Sequence, residues 1–135
     1  MTKKENAVVY ERELRDVVDP LGYDSIRAAG SEGTLDLVLW ARNHDRHILA
    51  QVKSTKKGVY YTSSNKEEYD IMRKYARAGH ECYYFVRWTD GTREQKWEVF
   101  DPIIQDIMKK GEGVSVEEIL QGIDYADPRK TDGTN

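Results

Sequence analysis

Three polar residues in the stretch 30–57, GSEGTLDLVLWARNHDRHILAQVKSTKK, are of types that can cut a phosphodiester. Asp36 opens one apolar run, and Gln51 and Lys53 fall near the end of a second. In a β-strand side chains alternate with period 2, so Gln51 and Lys53 point to one face and Ile48, Ala50 and Val52 to the other. Phosphodiester cleavage needs a metal ion against the phosphate, an activated water and a cation near the developing charge. Mg²⁺ prefers hard oxygen ligands and keeps several waters, so one or two carboxylates suffice. Asp36 is the principal ligand expected. The Gln51 amide oxygen and the backbone carbonyl of Val52 can add to it, and Lys53 can orient or deprotonate the attacking water or stabilise the transition state. Glu11, on an earlier helix, can bring a further carboxylate from above. Gln51 is the odd member, an amide where a carboxylate is expected. Taken alone the pattern is weak, because many half-exposed strands turn such a charged face to water.

The elements that must position these residues follow from periodicity. Val9, Leu14, Val17 and Val18 fall on one face of a helix over 6–19, which Pro20 and Gly22 end. Residues 25–28 read as an edge strand, followed by a Gly-rich loop at 30–33. Strands at 34–42 and 47–54 enclose the turn Asn43-His44-Asp45. Residues 58–61 form an extended link. A helix over 64–78 has Ser63 or Ser64 as its cap, with Glu67 or Glu68 completing a capping box. The run CYYFVRW (82–88) is a buried strand whose partner, 96–100, follows the Asp90-Gly91 turn. Pro102 at a first helical position predicts a helix from 101 to about 109, and Ser115 with Glu118 caps a last one over 115–122. The layout is α/β: one central mixed β-sheet flanked by helices.

At 135 residues with 39% hydrophobic content and a mean hydropathy of −0.79, the chain reads as one domain, 1–126, with a polar tail at 127–135 expected to be disordered. No run approaches the roughly 18 apolar residues of a membrane span, and the N-terminus lacks a signal-peptide core. An intracellular, cytoplasmic protein without a membrane partner is expected. Cys82 is the single cysteine, which excludes an internal disulfide and a cysteine-based zinc cluster. His44, Asp45 and His47 sit in a turn, where polar residues are the default. Net charge is −3, yet residues 1–78 hold 14 Lys/Arg against 12 Asp/Glu and 79–135 hold 7 against 12. Positive charge therefore gathers in the half with the candidate site, which permits phosphate binding. Within it Lys56 and Lys57 can meet phosphates, and Tyr60 and Tyr61 can meet sugar or base faces. Trp40, Tyr83, Tyr84, Phe85, Trp88 and Trp97 are expected in the core or at a subunit interface.

In order, ERELRDVV, SIRAAGS, LDLVLW and ILAQVKSTKK resemble the archaeal-type Holliday junction resolvases, a branch of the PD-(D/E)XK nuclease superfamily. WEVFDPIIQDI and GVSVEEILQGI are similar to the closing segments of those resolvases, so the likeness covers roughly 6–125. It implies a restriction-endonuclease-like fold, a homodimer, Mg²⁺ or Mn²⁺ dependence, and paired nicks that resolve four-way DNA junctions. It implies catalytic roles for Glu11, Asp36, Gln51 and Lys53, with Asp36 binding metal. Ser31 falls in the loop where the family uses a serine near the scissile phosphate, although that loop is one residue longer here. Arg27 matches the arginine of the short strand, and Arg12 follows the catalytic glutamate as a phosphate contact. The departure is again Gln51, where the family carries glutamate. A nuclease with weakened metal binding is expected. The alternatives are an inactive junction-binding protein of the same fold, or a nuclease acting on other DNA structures.

Overall fold

Alternating apolar residues build the sheet from its middle outward. The computed structural model describes residues 3–28, 36–91 and 96–121, with side chains from residue 8 onward. Helix α1 (Lys3–Val18) leads through a 3-10 turn at Asp19–Leu21 to Gly22, whose φ of 93° suits glycine. Strands β1 (Tyr23–Arg27), β2 (Leu37–Ala41) and β3 (His47–Thr55) form an antiparallel meander. After β4 (Val59–Tyr61) and α2 (Lys66–Arg77), β5 (Glu81–Trp88) pairs parallel to β3, and β6 (Trp97–Phe100) closes the sheet antiparallel. The sheet order is β1-β2-β3-β5-β6. Strand β7 (Ile107–Lys109) pairs with β4 in a separate two-stranded ribbon, and α3 (Val116–Gln121) ends the described chain.

The two faces of the sheet carry separate cores. On one, Leu14 and Val18 of α1 and Val116 and Leu120 of α3 pack on Leu37, Leu39, Ile48, Ala50 and Val52. On the other, Met72 of α2 and Met108 of β7 pack on Cys82, Tyr84, Val86, Trp88 and Phe100. Glu13 pins α1 down by accepting hydrogen bonds from Trp97 Nε1 at 2.6 Å and from Arg87. Arg46, in the β2–β3 turn, is buried and donates to Glu81, the Tyr23 hydroxyl and the Leu120 carbonyl, fastening α3 to the hairpin.

Several local expectations are corrected. Val9 is 46% exposed, and Tyr10 packs on the core in its place. Asn65, after a 3-10 turn at Thr62–Asn65, caps α2 by accepting from the Glu68 amide at 3.2 Å, so neither Ser63 nor Ser64 is the cap. The helix expected over 101–109 is a turn followed by β7. Residues 107–109 gain a strand partner in β4, a distant contact that overrides the local Pro102 signal. The link at 58–61 is that partner. Ser115 does cap α3, accepting from the Glu118 amide at 3.0 Å. Trp40 is half exposed and stacks on His47 at 5.2 Å, whereas Tyr84, Phe85, Trp88 and Trp97 are buried.

Candidate active site

The register of β2 against β3 sets Leu37 opposite Ala50, and one step further along the same ladder Asp36 meets Gln51. The Asp36 backbone belongs to the sheet: its amide donates to the Ala50 carbonyl at 3.3 Å, and its carbonyl accepts from the Ala28 amide at 3.0 Å. Its side chain turns toward the α2 side. There Asp36 Oδ2 accepts from the Val52 amide at 2.8 Å and from Gln51 Nε2 at 3.0 Å. Val52 thus touches Asp36 through its N–H, not through its carbonyl.

The same Gln51 Nε2 donates to Glu68 Oε2 at 2.9 Å, and Lys53 Nζ donates to that oxygen at 2.9 Å. Four side chains, one from just before β2, two from β3 and one from α2, are therefore joined through one amide nitrogen and one ammonium. Gln51 is 1% exposed and Glu68 3%. Gln51 Oε1 and Glu68 Oε1 are buried and accept no hydrogen bond among the described residues. Buried oxygens without donors are uncommon and costly, and they are what a hard cation seeks. No set of three His, Cys, Asp or Glu side chains forms a metal cage among the described residues. The donors here are two carboxylates and an amide oxygen, enough for an ion that keeps several waters.

Burial sets the electrostatics of the cluster. It lifts the Asp36 carboxyl above its ordinary value, against the pull of the Val52 amide, Lys53 and Arg27. It lifts Glu68 as well, against Lys53. Burial acts in the opposite sense on the Lys53 ammonium, but Glu68, Tyr60 and Asp36 outweigh it, and its pKa is raised. Lys53 is accordingly a firmly charged cation, with Nζ 5.8 Å from the centre of the Tyr60 ring.

Glu11 stands apart from these hydrogen bonds. It lies on α1, which packs on the opposite face of the sheet, and pairs with Arg27 Nε at 3.1 Å. Its pKa is raised by burial and then by the charge of Asp36, with Arg27 opposing. The two acids therefore share a field without a bond. Beside Glu11 opens a cleft of about 210 Å³ lined by Arg12, Arg15, Ser25 and Arg27. Lys56 and Lys57 are exposed in the turn after β3, where Thr55 Oγ1 accepts from the Lys57 amide. Tyr60 is half-buried and Tyr61 exposed. Ser31 lies outside the described residues.

Sequence reasoning brought Asp36, Gln51 and Lys53 to one place and missed Glu68 and Arg15. The capping role that the sequence suggests for Glu68 hides a second one. The available signal was its place in the first turn of the helix that crosses from β3 to β5. Arg15 is one helical turn from Arg12, so the two fall on one face of α1.

A five-stranded mixed sheet with helices on both faces, with Asp36 just before β2 and Gln51 and Lys53 on β3, has the layout of the restriction-endonuclease-like α/β fold. The family model for archaeal Holliday junction resolvase (Hjc) matches residues 2–131, and the chain belongs to that family. Membership makes it a Holliday junction resolvase, a DNA endonuclease of recombination and repair. In structure it is similar to the Hjc of Archaeoglobus fulgidus, a Holliday junction resolvase from an archaeal hyperthermophile. The TM-score is 0.65 and the identity 21%, over 86% of this chain and 96% of that one, a likeness that bears on the fold. No curated protein sequence matches the chain.

Proposed function

We propose that the chain resolves four-way junctions as a homodimer, by Mg²⁺-dependent hydrolysis at a site built on Asp36, Gln51 and Lys53 and served by Glu11. The observation that carries the metal is the buried, donor-free Gln51 Oε1 beside the Asp36 carboxylate. When bound, Mg²⁺, or Mn²⁺ in its place, supplies Lewis-acid charge against the scissile phosphate. Asp36 holds it, kept in place by the Val52 amide. Lys53 orients the attacking water and meets the charge that develops on phosphate. Glu11, which shares the field of Asp36 without a bond to it, is assigned the role of proton acceptor. Arg12, Arg15 and Arg27 receive backbone phosphates in their cleft, with Lys56, Lys57 and Tyr60 as further contacts. A two-fold dimer presents two such sites to opposed strands, which accounts for symmetric nicks.

The test offers a synthetic four-way junction, a flap and a linear duplex to the protein over a Mg²⁺ and Mn²⁺ series. Symmetric nicks in the junction are expected, with Lys53→Ala slower by about 10²-fold at unchanged junction binding. Equal cutting by both proteins defeats the site, and binding without cleavage in any metal makes the chain an inactive junction binder.

Arg12→Ala and Arg15→Ala carry a separate expectation. Each removes one phosphate contact, so each weakens junction binding evenly across sequences and lowers the slope of log K against log salt by about 1. Fluorescence anisotropy titrations at several salt concentrations measure this, and an unchanged slope removes that arginine from the interface.

No helix among the described residues is long and apolar enough to cross a membrane.

A further inference from the structure

Position 51 carries an amide, yet the site is not short of carboxylate. Glu68 enters the same cluster from the first turn of α2, and two simpler accounts of it leave features unexplained. A glutamate serving only the helix N-terminus would face solvent, as its neighbour Glu67 does, whereas Glu68 is 3% exposed. A glutamate serving only as counterion to Lys53 would use one oxygen and turn the other to water or to a donor. Instead Oε1 is buried without a donor among the described residues, as is Oε1 of Gln51, whose Nε2 donates to Glu68 Oε2. Glu68 and Asp36 both rest on the single Gln51 Nε2, at 2.9 and 3.0 Å, so one hydrogen-bond donor separates two carboxylates. A donor placed there does the work of a cation in neutralising facing oxygens.

We propose that Glu68 is a metal-ligating residue of this nuclease, supplying from α2 the second carboxylate that position 51 lacks on β3. Gln51 then has two duties. In the metal-free protein its Nε2 holds Asp36 and Glu68 together. For a divalent cation the amide turns its Oε1 inward, so that donor and acceptor exchange places without a change in packing. The carboxylate count of the site is thus kept while its source moves from strand to helix. This rests on the metal-dependent reading above.

The test is Mn²⁺ binding by the full chain without DNA, followed by calorimetry and by the loss of the free-ion electron paramagnetic resonance signal. Glu68→Gln is expected to weaken Mn²⁺ binding at least tenfold, on the order of what groups that only support a metal ligand cost. The double variant Gln51→Glu/Glu68→Gln returns the carboxylate to the strand and is expected to bind within about threefold of wild type, a rescue that a merely structural role would not give. If Glu68→Gln proves unfolded, the double variant decides alone. Wild-type affinity in Glu68→Gln, with binding lost in Asp36→Asn, overturns the proposal and leaves the metal site standing. Loss in both Glu68→Gln and the double variant also overturns it. No Mn²⁺ binding by wild type overturns the proposal together with the metal-dependent reading.

Discussion

Asp36→Asn is expected to lower junction cleavage by about 10³-fold while leaving junction binding in place. Removing one preorganised electrostatic element from an active site costs about 10²–10³-fold, and Asp36 lies at the high end because it also orders its neighbours. Its Oδ2 accepts from both the Val52 amide and Gln51 Nε2, so the change disturbs two contacts with β3. The same substitution has an opposite effect on the metal-free fold, and the sign follows from linkage. Burial raises the Asp36 pKa in the folded chain, so the folded state holds that proton more tightly than the unfolded state. The stability this confers is fully present below the ordinary aspartate value and is lost as pH rises through the raised one. Asparagine suffers no such loss. The melting temperature of Asp36→Asn minus that of wild type is therefore expected to grow as pH rises from about 4, the ordinary aspartate value. Melting curves in chelator at several pH values check it, and a difference that shrinks with pH contradicts the assignment. The pattern is the common one in which groups gathered for chemistry cost stability when their ligand is away.

Glu98→Ala is expected to cost about 3 kcal/mol or more, with a fall of about 10 °C in melting temperature. Glu98 is a carboxylate on β6, 2% exposed, far in sequence from the catalytic cluster. Its Oε1 accepts from Trp88 Nε1 and the Gly111 amide, both at 2.7 Å, and its Oε2 accepts from the Gly113 amide at 2.9 Å. Alanine would leave three donors without a partner, one of them a buried indole. The clamp also explains a glycine: a Cβ at Gly113 would lie 2.8 Å from Phe100 Cζ and 2.9 Å from Glu98 Cβ. Glu98→Gln is expected to destabilise as well, since an amide turns one donor toward donors. Thermal melting measures both, and a loss within 1 °C for alanine contradicts the role.

How much of this was legible depends on the range of the interaction concerned. Asp36, Gln51 and Lys53 were readable because period-2 alternation fixes a face, and the face is local. Glu11 was readable as a carboxylate of α1, but its engagement with Arg27 rather than with the cluster depends on where β1 ends. Glu68 was visible as a residue and invisible as a site member, because a capping role already accounted for it and burial is not written in a helix's first turn. The strand at 107–109 was lost for another reason. Its partner lies at 59–61, and a proline that favours helix locally cannot report a pairing with residues so distant. Arg46 lay in the same blind spot, as a charged residue whose burial follows from a partner remote in the chain.

One feature of the cluster bears on how such a protein can change over generations. All four hydrogen-bonded groups come from the continuous stretch 36–68, while the Glu98 clamp holds Gly111 and Gly113 and the Arg46 tie holds Leu120. Substitutions at separated sites with no shared partner add nearly independently. Heat tolerance can therefore be tuned through Glu98 and its donors with little disturbance of the cluster of Asp36, Gln51, Lys53 and Glu68. A carboxylate could then pass from a strand to a neighbouring helix without the scaffold having to be rebuilt around it.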